Sequence, residues 1–315
     1  MSTTTGPEPR ETDTPAGHVA WLEAGSGRPL VCLHGFPDAP ETFQALMRDL
    51  AEDGFRCLAP WLPGYGHTAI PRSGGLSLMA VAEMLDAWLS EVVDESALAI
   101  LGHDWGSVIA QLLAGIHQEG RTRYELEGVI LAAVPPTRRF MANMSPAQIA
   151  RSRYIGRFQL PGAARRIRRR RLDYIRKLWR RWSPDLPGEH PQLCRVLEAL
   201  ALPGALERAI AYYRYALNPM YLPLSRAPVR QGRLLRMRKP IPALVLAGAR
   251  DGCIGDEIFR GSEREFPHPG TRLEILESAG HFMHLDAPER FRDRVLSFLR
   301  QIREDGDGRA ADAPA

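Results

Sequence analysis

One segment of the sequence places an acidic side chain where a nucleophile could stand. Asp104 is the central residue of Gly102-His103-Asp104-Trp105-Gly106, which follows the apolar run Leu98–Leu101 and precedes a helical pattern. A sharp strand-to-helix turn with small residues two positions before and after projects the central side chain above a sheet. The start of the helix also favours negative charge there. The same residue could be an ordinary helix N-cap, so the segment predicts a nucleophile only if partners occur elsewhere.

Two candidate partners follow in the order that such a site requires. Asp251 lies just past the strand pattern Ala243–Leu246, and His281 follows a glycine just beyond the pattern Arg272–Leu276. Each has a simpler explanation alone, since aspartate before glycine is common in turns. Together they predict a triad in which Asp251 orients His281 and His281 activates a water molecule.

A fourth segment, His34-Gly35-Phe36-Pro37, follows another strand pattern, Leu30–Leu33. We expect the backbone N–H groups of Phe36 and Trp105 to stabilise a tetrahedral oxyanion. For His34 we expect a role in orienting this loop.

The elements around these segments alternate between short apolar runs and longer helical patterns, which favours a mostly parallel sheet flanked by helices. We predict strands at His18–Glu23, Leu30–Leu33, Arg56–Ala59, Leu98–Leu101, Gly128–Ala133, Ala243–Leu246 and Arg272–Leu276. We predict helices at Glu41–Glu52, Leu78–Val93, Gly106–His117 and Pro288–Ile302.

The alternation stops between Pro135 and Pro240, where strand signals are absent and the pattern is helical. We predict a helical cap at residues 137–238, inserted between two parts of an α/β core at residues 18–136 and 239–303 and lying over the carboxyl edge of the sheet. The polar segments 1–17 and 304–315 are expected to be a disordered leader and tail.

Near its start the cap carries an arginine run, Arg165, Arg166 and Arg168–Arg171. The helix that holds it continues with Leu172, Ile175, Trp179 and Trp182 at spacings that give one apolar face. We interpret the arginine run as a solvent-exposed helix face, because no nucleic-acid-binding module accompanies it. Nucleic-acid binding is the alternative interpretation.

Composition is that of an ordinary globular protein, with 44% hydrophobic and 25% charged residues in 315 and a net charge of +4. No apolar run is long enough to span a bilayer, and residues 1–17 lack the apolar centre of a signal peptide. We therefore expect a cytoplasmic protein. Its four cysteines show no metal or redox spacing and are expected to be free thiols.

The sequence resembles the epoxide hydrolase branch of the α/β-hydrolase superfamily. The resemblance rests on the segment around Asp104, the His34–Pro37 loop, Gly280-His281 and the cap, and extends over about residues 18–303. It implies the α/β-hydrolase fold and an aspartate nucleophile, which haloalkane dehalogenases share.

The resemblance also implies two cap tyrosines that hydrogen-bond the epoxide oxygen. Tyr154 stands four residues before Phe158-Gln159-Leu160-Pro161-Gly162, and Tyr213 lies in Tyr212-Tyr213-Arg214, both in matching local sequence. Packing is the simpler role of a cap tyrosine, but the paired match favours function. One departure is Trp61, at a position where relatives usually carry aspartate.

The reaction that the resemblance implies is hydrolysis of a small-molecule epoxide to a vicinal diol, with neither metal nor organic cofactor and with no nucleic-acid partner. Asp104 would form an alkyl ester, and the His281–Asp251 pair would activate the water that cleaves it. Two alternatives are a haloalkane or haloacid dehalogenase and a non-hydrolytic biosynthetic or binding member of the fold. A homo-oligomer is compatible with the sequence.

Overall fold

A computed structural model describes residues 6–93, 97–221 and 225–311. Its centre is an eight-stranded sheet in the order β1-β2-β4-β3-β5-β6-β7-β8. The first two pairings, β1 with β2 and β2 with β4, are antiparallel, and the other five are parallel. The strands are β1 (Glu8–Thr14), β2 (Gly17–Ala24), β3 (Arg28–Leu33), β4 (Phe55–Pro60), β5 (Ala97–His103), β6 (Glu125–Ala132), β7 (Ala243–Gly248) and β8 (Arg272–Leu276).

The fold-class prediction is confirmed, and each of the seven predicted strands corresponds to an observed one. The central strands β3, β5 and β7 are buried along nearly their whole length because helices cover both faces of the sheet. The helices of the core are α1 (Gln44–Glu52), α2 (Leu78–Val92), α3 (Trp105–Gln118), α12 (Met283–Asp286) and α13 (Pro288–Ala311), with short 3₁₀ turns at Pro40–Phe43, Asp256–Phe259 and Ser262–Glu265.

Two apolar layers fill the space on either side of the sheet. Helices α2 and α3 bury one face of the sheet, with Trp88 at the centre of that layer. Helices α1 and α13 bury the other face, through side chains such as Met47 and Phe298. None of the helices among the described residues is both long and apolar enough to cross a membrane.

The helical insertion leaves the sheet after β6 and returns to it at β7. It contains α4 (Thr137–Ala142), α5 (Pro146–Arg151), α6 (Arg153–Gln159), α7 (Ala163–Arg169), α8 (Asp173–Trp182), α9 (Pro191–Ala201), α10 (Ala205–Leu217), a 3₁₀ turn at Pro219–Tyr221 and α11 (Ala227–Arg236). The predicted apolar face of α8 is present, with Ile175, Trp179 and Trp182 buried. The arginine run does not share that helix, because the chain breaks at Arg171 and Leu172, both at positive φ.

Three expectations about boundaries were wrong. Residues 8–14 of the expected leader form β1, because an edge strand needs backbone hydrogen bonds to its neighbour and not apolar side chains; residues 1–5 lie outside the described part. The last helix runs to Ala311 instead of ending near Ile302, since helix propagation is cheap once nucleated and no proline intervenes. Residues 312–315 of the expected tail lie outside the described part.

The third boundary concerns the end of the cap. Helix α11 falls within the predicted cap, yet it packs against α2 and α3 of the core. Leu234 is fully buried there and lies against Gly115 of α3. The part of the insertion that covers the sheet edge is therefore α4–α10.

Candidate active site

The turn between β5 and α3 holds Asp104 in a backbone conformation that residues other than glycine seldom adopt, with φ at 53°. Such conformations cost about 1–3 kcal/mol and concentrate at functional sites. The turn is possible because its flanking residues are glycines. A Cβ on Gly106 would stand 2.0 Å from the Leu33 carbonyl oxygen, and one on Gly102 would stand 2.3 Å from the Gly106 oxygen. The strand and helix therefore pack backbone to backbone, which points Asp104 at the adjacent loops.

The three residues predicted to form a triad lie side by side and are buried. His281 Nδ1 is 2.9 Å from Asp251 Oδ2, and His281 Nε2 is 3.5 Å from Asp104 Oδ2. Because Nδ1 faces a carboxylate, it carries a hydrogen and donates it, which directs Nε2 toward Asp104. The order along the site is Asp251, His281, Asp104.

Backbone hydrogen bonds hold Asp251 and His281 in place. Asp251 Oδ1 accepts from the N–H groups of Cys253 (2.6 Å) and Ile254 (3.0 Å), which leaves Oδ2 for the histidine. The N–H of His281 donates to the Trp182 carbonyl at 2.9 Å. Trp182 ends α8, so the cap itself positions the histidine.

His281 lies between the carboxylates of Asp104 and Asp251, and their negative charges raise its pKa. Burial by itself lowers the pKa of His281, but the attraction of Asp251, the nearby Asp104 carboxyl and the hydrogen bond to Asp251 outweigh it and raise the pKa to about 10. This raised pKa favours the imidazolium form of His281 as long as Asp104 carries its charge. Loss of negative charge on Asp104 would remove part of that support and lower the pKa of His281 again.

The loop after β3 supplies the first expected oxyanion donor. The Phe36 N–H donates to Asp104 Oδ1 at 2.7 Å, and the Phe36–Pro37 peptide bond is cis. A Cβ on Gly35 would collide with the Asp104 carboxyl at 2.4 Å, so only glycine permits this approach. Trp105 is the first residue of α3, where an N–H has no acceptor within the helix. His34 Nε2 accepts from the Leu62 N–H at 3.0 Å, so this ring ties the loop to the chain after β4.

Tyr154 and Tyr213 come from α6 and α10 and meet over Asp104. Their ring centroids are 5.6 Å apart, and both side chains are buried. Tyr154 Oη is 3.6 Å from Cys253 Sγ. Tyr213 Oη makes no hydrogen bond of good geometry among the described residues, but the Tyr154 hydroxyl lies close enough to interact with it. Burial raises the pKa of both phenols well above the usual value, and the neighbouring groups, Asp104 among them, raise it further. Both groups therefore remain protonated and able to donate.

The remaining wall of the site is aromatic. Phe36 contacts the rings of Phe158, Trp182 and Tyr213 at centroid distances of 5.3, 6.2 and 5.3 Å. Trp105 lies 4.9 Å from Tyr213. An apolar group beside the two phenol hydroxyls and the Asp104 carboxyl would thus be surrounded by rings.

Sequence reasoning missed Cys253 as a residue of this site. Its side chain is buried beside Tyr154, two residues after Asp251, and burial raises the pKa of its thiol well above the usual value. A metal could find three donor atoms within 4.8 Å of one another on Asp251, Cys253 and His281. Those atoms include the ones that hold Asp251 to His281, so a metal there would compete with the pair.

A second missed feature joins the cap to the core behind the site. Asp38, buried after the Phe36 loop, accepts from Gln192 of α9 at 2.8 Å and from the Ala39 N–H at 2.9 Å. Burial raises the pKa of Asp38. A lone aspartate and a distant glutamine give no signal in sequence that they will meet.

Trp61, the residue that departs from the expected aspartate, lies at the end of β4 and contacts the ring of His67 at 6.1 Å. Its indole fills the position where a Cβ on Gly66 would lie. The turn after β4 is thereby built around the tryptophan.

The site is closed in this conformation. Asp104 is 5% exposed, Tyr154 7% and His281 0%. A cleft of about 620 Å³ on the outer side of the cap borders Tyr154 but not Asp104 or His281. The Asp104–His281 contact is therefore shielded from solvent in this conformation.

Comparison with known proteins shows the family to which the chain belongs. A model of the alpha/beta hydrolase fold family matches residues 28–288. The chain is 26% identical to epoxide hydrolase A of Mycobacterium tuberculosis over 93% of this chain and 97% of that protein. It is 29% identical to a haloalkane dehalogenase of Mycobacterium marinum over 91% of this chain and 90% of that protein. The solved structure of epoxide hydrolase CorEH without ligand covers 94% of this chain and 99% of its own, with a TM-score of 0.77 and 21% identity, a likeness of fold.

Proposed function

Because this chain belongs to the alpha/beta hydrolase fold family, we propose that it is an epoxide hydrolase that opens an epoxide to a vicinal diol through an ester of Asp104. The observation that carries the proposal is the pairing of Asp104, in the strained turn, with two buried phenols from the cap. A carboxylate suits attack on a saturated carbon, and phenols suit protonation of the oxygen that leaves it. The relatives named as epoxide hydrolases support the same assignment.

In the first step Asp104 attacks an epoxide carbon and forms an ester. The C–O bond of the ring breaks, and its oxygen takes a proton from Tyr154 or Tyr213 as negative charge develops. Among the described residues the Tyr213 hydroxyl makes no hydrogen bond of good geometry, whereas that of Tyr154 faces the Cys253 thiol, so we assign Tyr213 the first contact with that oxygen. The aromatic wall lowers the local polarity around the reacting atoms, which strengthens both interactions.

In the second step a water molecule cleaves the ester. Esterification removes the charge of Asp104, which lowers the pKa of His281. The imidazolium then gives its proton to the phenolate left by the first step, which restores the phenol, and the neutral Nε2 acts as the base that takes a proton from the attacking water. The oxyanion forms on Asp104 itself and receives hydrogen bonds from the Phe36 and Trp105 N–H groups. Collapse breaks the bond between the Asp104 acyl carbon and the diol oxygen, which takes the proton of the added hydroxyl group, and so leaves the diol, the Asp104 carboxylate and a protonated His281. No step of this reaction needs a cofactor.

A second candidate, halide displacement, rests on one observation. Trp105 Nε1 is buried and without a hydrogen-bond partner among the described residues, so it could hold a departing halide. Phe36 stands where a second polar donor would be expected and offers only a ring. The phenol pair also has no purpose in that reaction, so we rank it below epoxide opening.

A single turnover in heavy-oxygen water, with enzyme in excess over a styrene-type epoxide, tests the proposal. The ester route yields an unlabelled diol and a labelled Asp104 peptide, because the first oxygen comes from the carboxylate. The His281→Gln variant should accumulate an adduct of enzyme plus one substrate in intact-mass analysis. Label in the first diol, without any adduct, would make Asp104 a base. Halide release without epoxide turnover would favour the dehalogenase, and no turnover of either substrate would favour a binding or biosynthetic member.

A further inference from the structure

Charge on this protein is concentrated in one part of the cap. Residues 151–182, from α5 to α8, contain thirteen arginines and lysines and one acidic residue, a net charge of +12. The whole chain carries +4, so all other residues together carry −8. An electric asymmetry of this size orients a protein toward a negatively charged partner.

Few of these cations are neutralised within the protein. Ion pairs join Arg151 to Glu257, Arg168 to Glu207 and Lys177 to Asp173. Within the described part of the chain, no carboxylate lies within ion-pair distance of the other arginines of residues 151–182. Most of them are exposed.

The exposed cations surround two adjoining clefts with an apolar floor. The larger, of about 620 Å³, and the smaller, of about 410 Å³, share Arg157, Leu160 and Tyr174. Apolar side chains such as Leu178 and Ile167 line the floor. The cationic rim consists of Arg153, Arg157, Arg166, Arg169, Arg170, Lys177 and Arg181.

We propose that this basic cap face, α6–α8 with its two clefts, docks on the surface of an anionic phospholipid bilayer. Clustered arginines bind lipid phosphates, and apolar side chains among them enter the acyl boundary. Leu160 is 52% exposed at the junction of the clefts, and Ile149 on the neighbouring α5 is 60% exposed. A nucleic acid fits this face less well, because single-stranded nucleic acids bind by stacking their bases on exposed aromatic rings. On this face Arg157 covers the ring of Tyr174.

The orientation follows from the charge. The remaining residues, at −8, are repelled by an anionic surface, so the cap faces the lipid. The larger cleft borders Tyr154. An apolar small molecule dissolved in the bilayer would thus meet the protein on the side of the cap tyrosines.

The test is flotation of the full chain with phosphatidylcholine vesicles that contain or lack phosphatidylglycerol. We expect binding to the anionic vesicles, weakening with salt as surface charge is screened. Each arginine near such a surface strengthens binding about fivefold, so replacing Arg166, Arg169 and Arg170 by Gln should weaken it about a hundredfold. The matched control replaces Arg226, Arg260 and Arg290, exposed arginines outside this face, by Gln and should bind nearly as tightly.

A second variant separates lipid insertion from charge attraction. Leu160→Asn should lose the part of the binding that survives high salt, because apolar contact is not screened. Equal binding of the two triple variants, or equal binding to neutral vesicles, would overturn the proposal. So would displacement from the vesicles by low concentrations of double-stranded DNA, which would make nucleic acid the partner. Each outcome is independent of whether epoxides are turned over.

Discussion

At the scale of single residues, Asp251 separates the two halves of the proposed reaction. In Asp251→Asn, Oδ1 can still accept from the Cys253 and Ile254 N–H groups, but an amide NH₂ replaces the oxygen that His281 Nδ1 faces. His281 then loses the tautomer needed for a base. Rapid-quench kinetics should show ester hydrolysis slowed about a thousandfold or more, with ester formation changed much less. Equal slowing of both steps would remove Asp251 from the triad.

The cap tyrosines Tyr154 and Tyr213 should act on ester formation, the first half of the proposed reaction. Tyr154→Phe and Tyr213→Phe each remove a donor to developing charge, which costs on the order of 3 kcal/mol in comparable sites. Ester formation should fall on the order of a hundredfold in each, and the double variant should lose nearly all epoxide turnover. Tyr212→Phe is the control, since this buried neighbour donates instead to the Pro63 carbonyl. Full activity in the double variant would revive halide displacement.

Residue types predicted the members of this site where a local pattern surrounds them. The elbow glycines mark Asp104, and strand ends mark Asp251 and His281, because each pattern is contiguous in sequence. Cys253 and the Asp38–Gln192 bond were missed. Their neighbours lie about a hundred residues or more away in the chain, and nothing local specifies such a contact.

At the scale of elements, Gly106 and Gly156 separate the effect of close backbone packing from the effect of helix propensity. Gly106→Ala puts a Cβ 2.0 Å from the Leu33 carbonyl oxygen, so β5 and α3 must separate. Gly156 lies in α6 with nothing within 4 Å of an added Cβ. Gly156→Ala should stabilise the protein by about 0.5–1 kcal/mol, the helix preference for alanine.

Chemical denaturation of the two variants measures this difference. We expect Gly106→Ala to lose several kcal/mol, about 3 or more by analogy with overpacked cores, or to fail to fold. A Gly106→Ala protein as stable as Gly156→Ala would mean that the elbow is not backbone-packed as described.

Elements with an apolar signature were predicted well, and elements without one were not. β3, β5 and β7 are apolar runs. β1 is polar at nearly every position and is defined only by hydrogen bonds to β2. The break before α8 depends on positive φ at Arg171 and Leu172, residues that give no turn signal. Helix α11 reads as helical in sequence, but its docking on the core depends on tertiary contact.

At the scale of the whole molecule, buried histidines should set the acid limit of stability. Burial lowers the pKa of His34 to about 4 and of His103 and His284 to about 3. Such groups stabilise the fold above the unfolded pKa of about 6.5, and this is lost as pH falls toward 3–4. Each contributes about 2 kcal/mol of loss at pH 5. Burial raises the pKa of the carboxyl groups of buried Asp38 and half-buried Asp286, which offsets part of this loss.

His281 sets the opposite limit, because its pKa is raised to about 10. Its contribution is complete below the unfolded pKa and is lost as pH rises toward 10. Urea unfolding at a series of pH values should therefore show a maximum near neutrality. His284→Asn should flatten the acid side, and His281→Gln should flatten the alkaline side. A free energy of unfolding independent of pH from 5 to 9 would contradict both assignments.

The insertion departs from β6 and returns at β7, two strands that pair directly, with Val129 opposite Ala243. Neighbouring strands lie about 4.8 Å apart, so the length of chain between them is free to vary while the order and register of the sheet stay the same. The cap could thus be exchanged as a unit. Asp104, Asp251 and His281 belong to the core and would be kept, whereas Tyr154 and Tyr213 belong to the cap and would be replaced with it. Trp182 sets the condition for such an exchange. Its carbonyl receives the N–H groups of Gly252 and His281, and any replacement cap must offer an acceptor at that point.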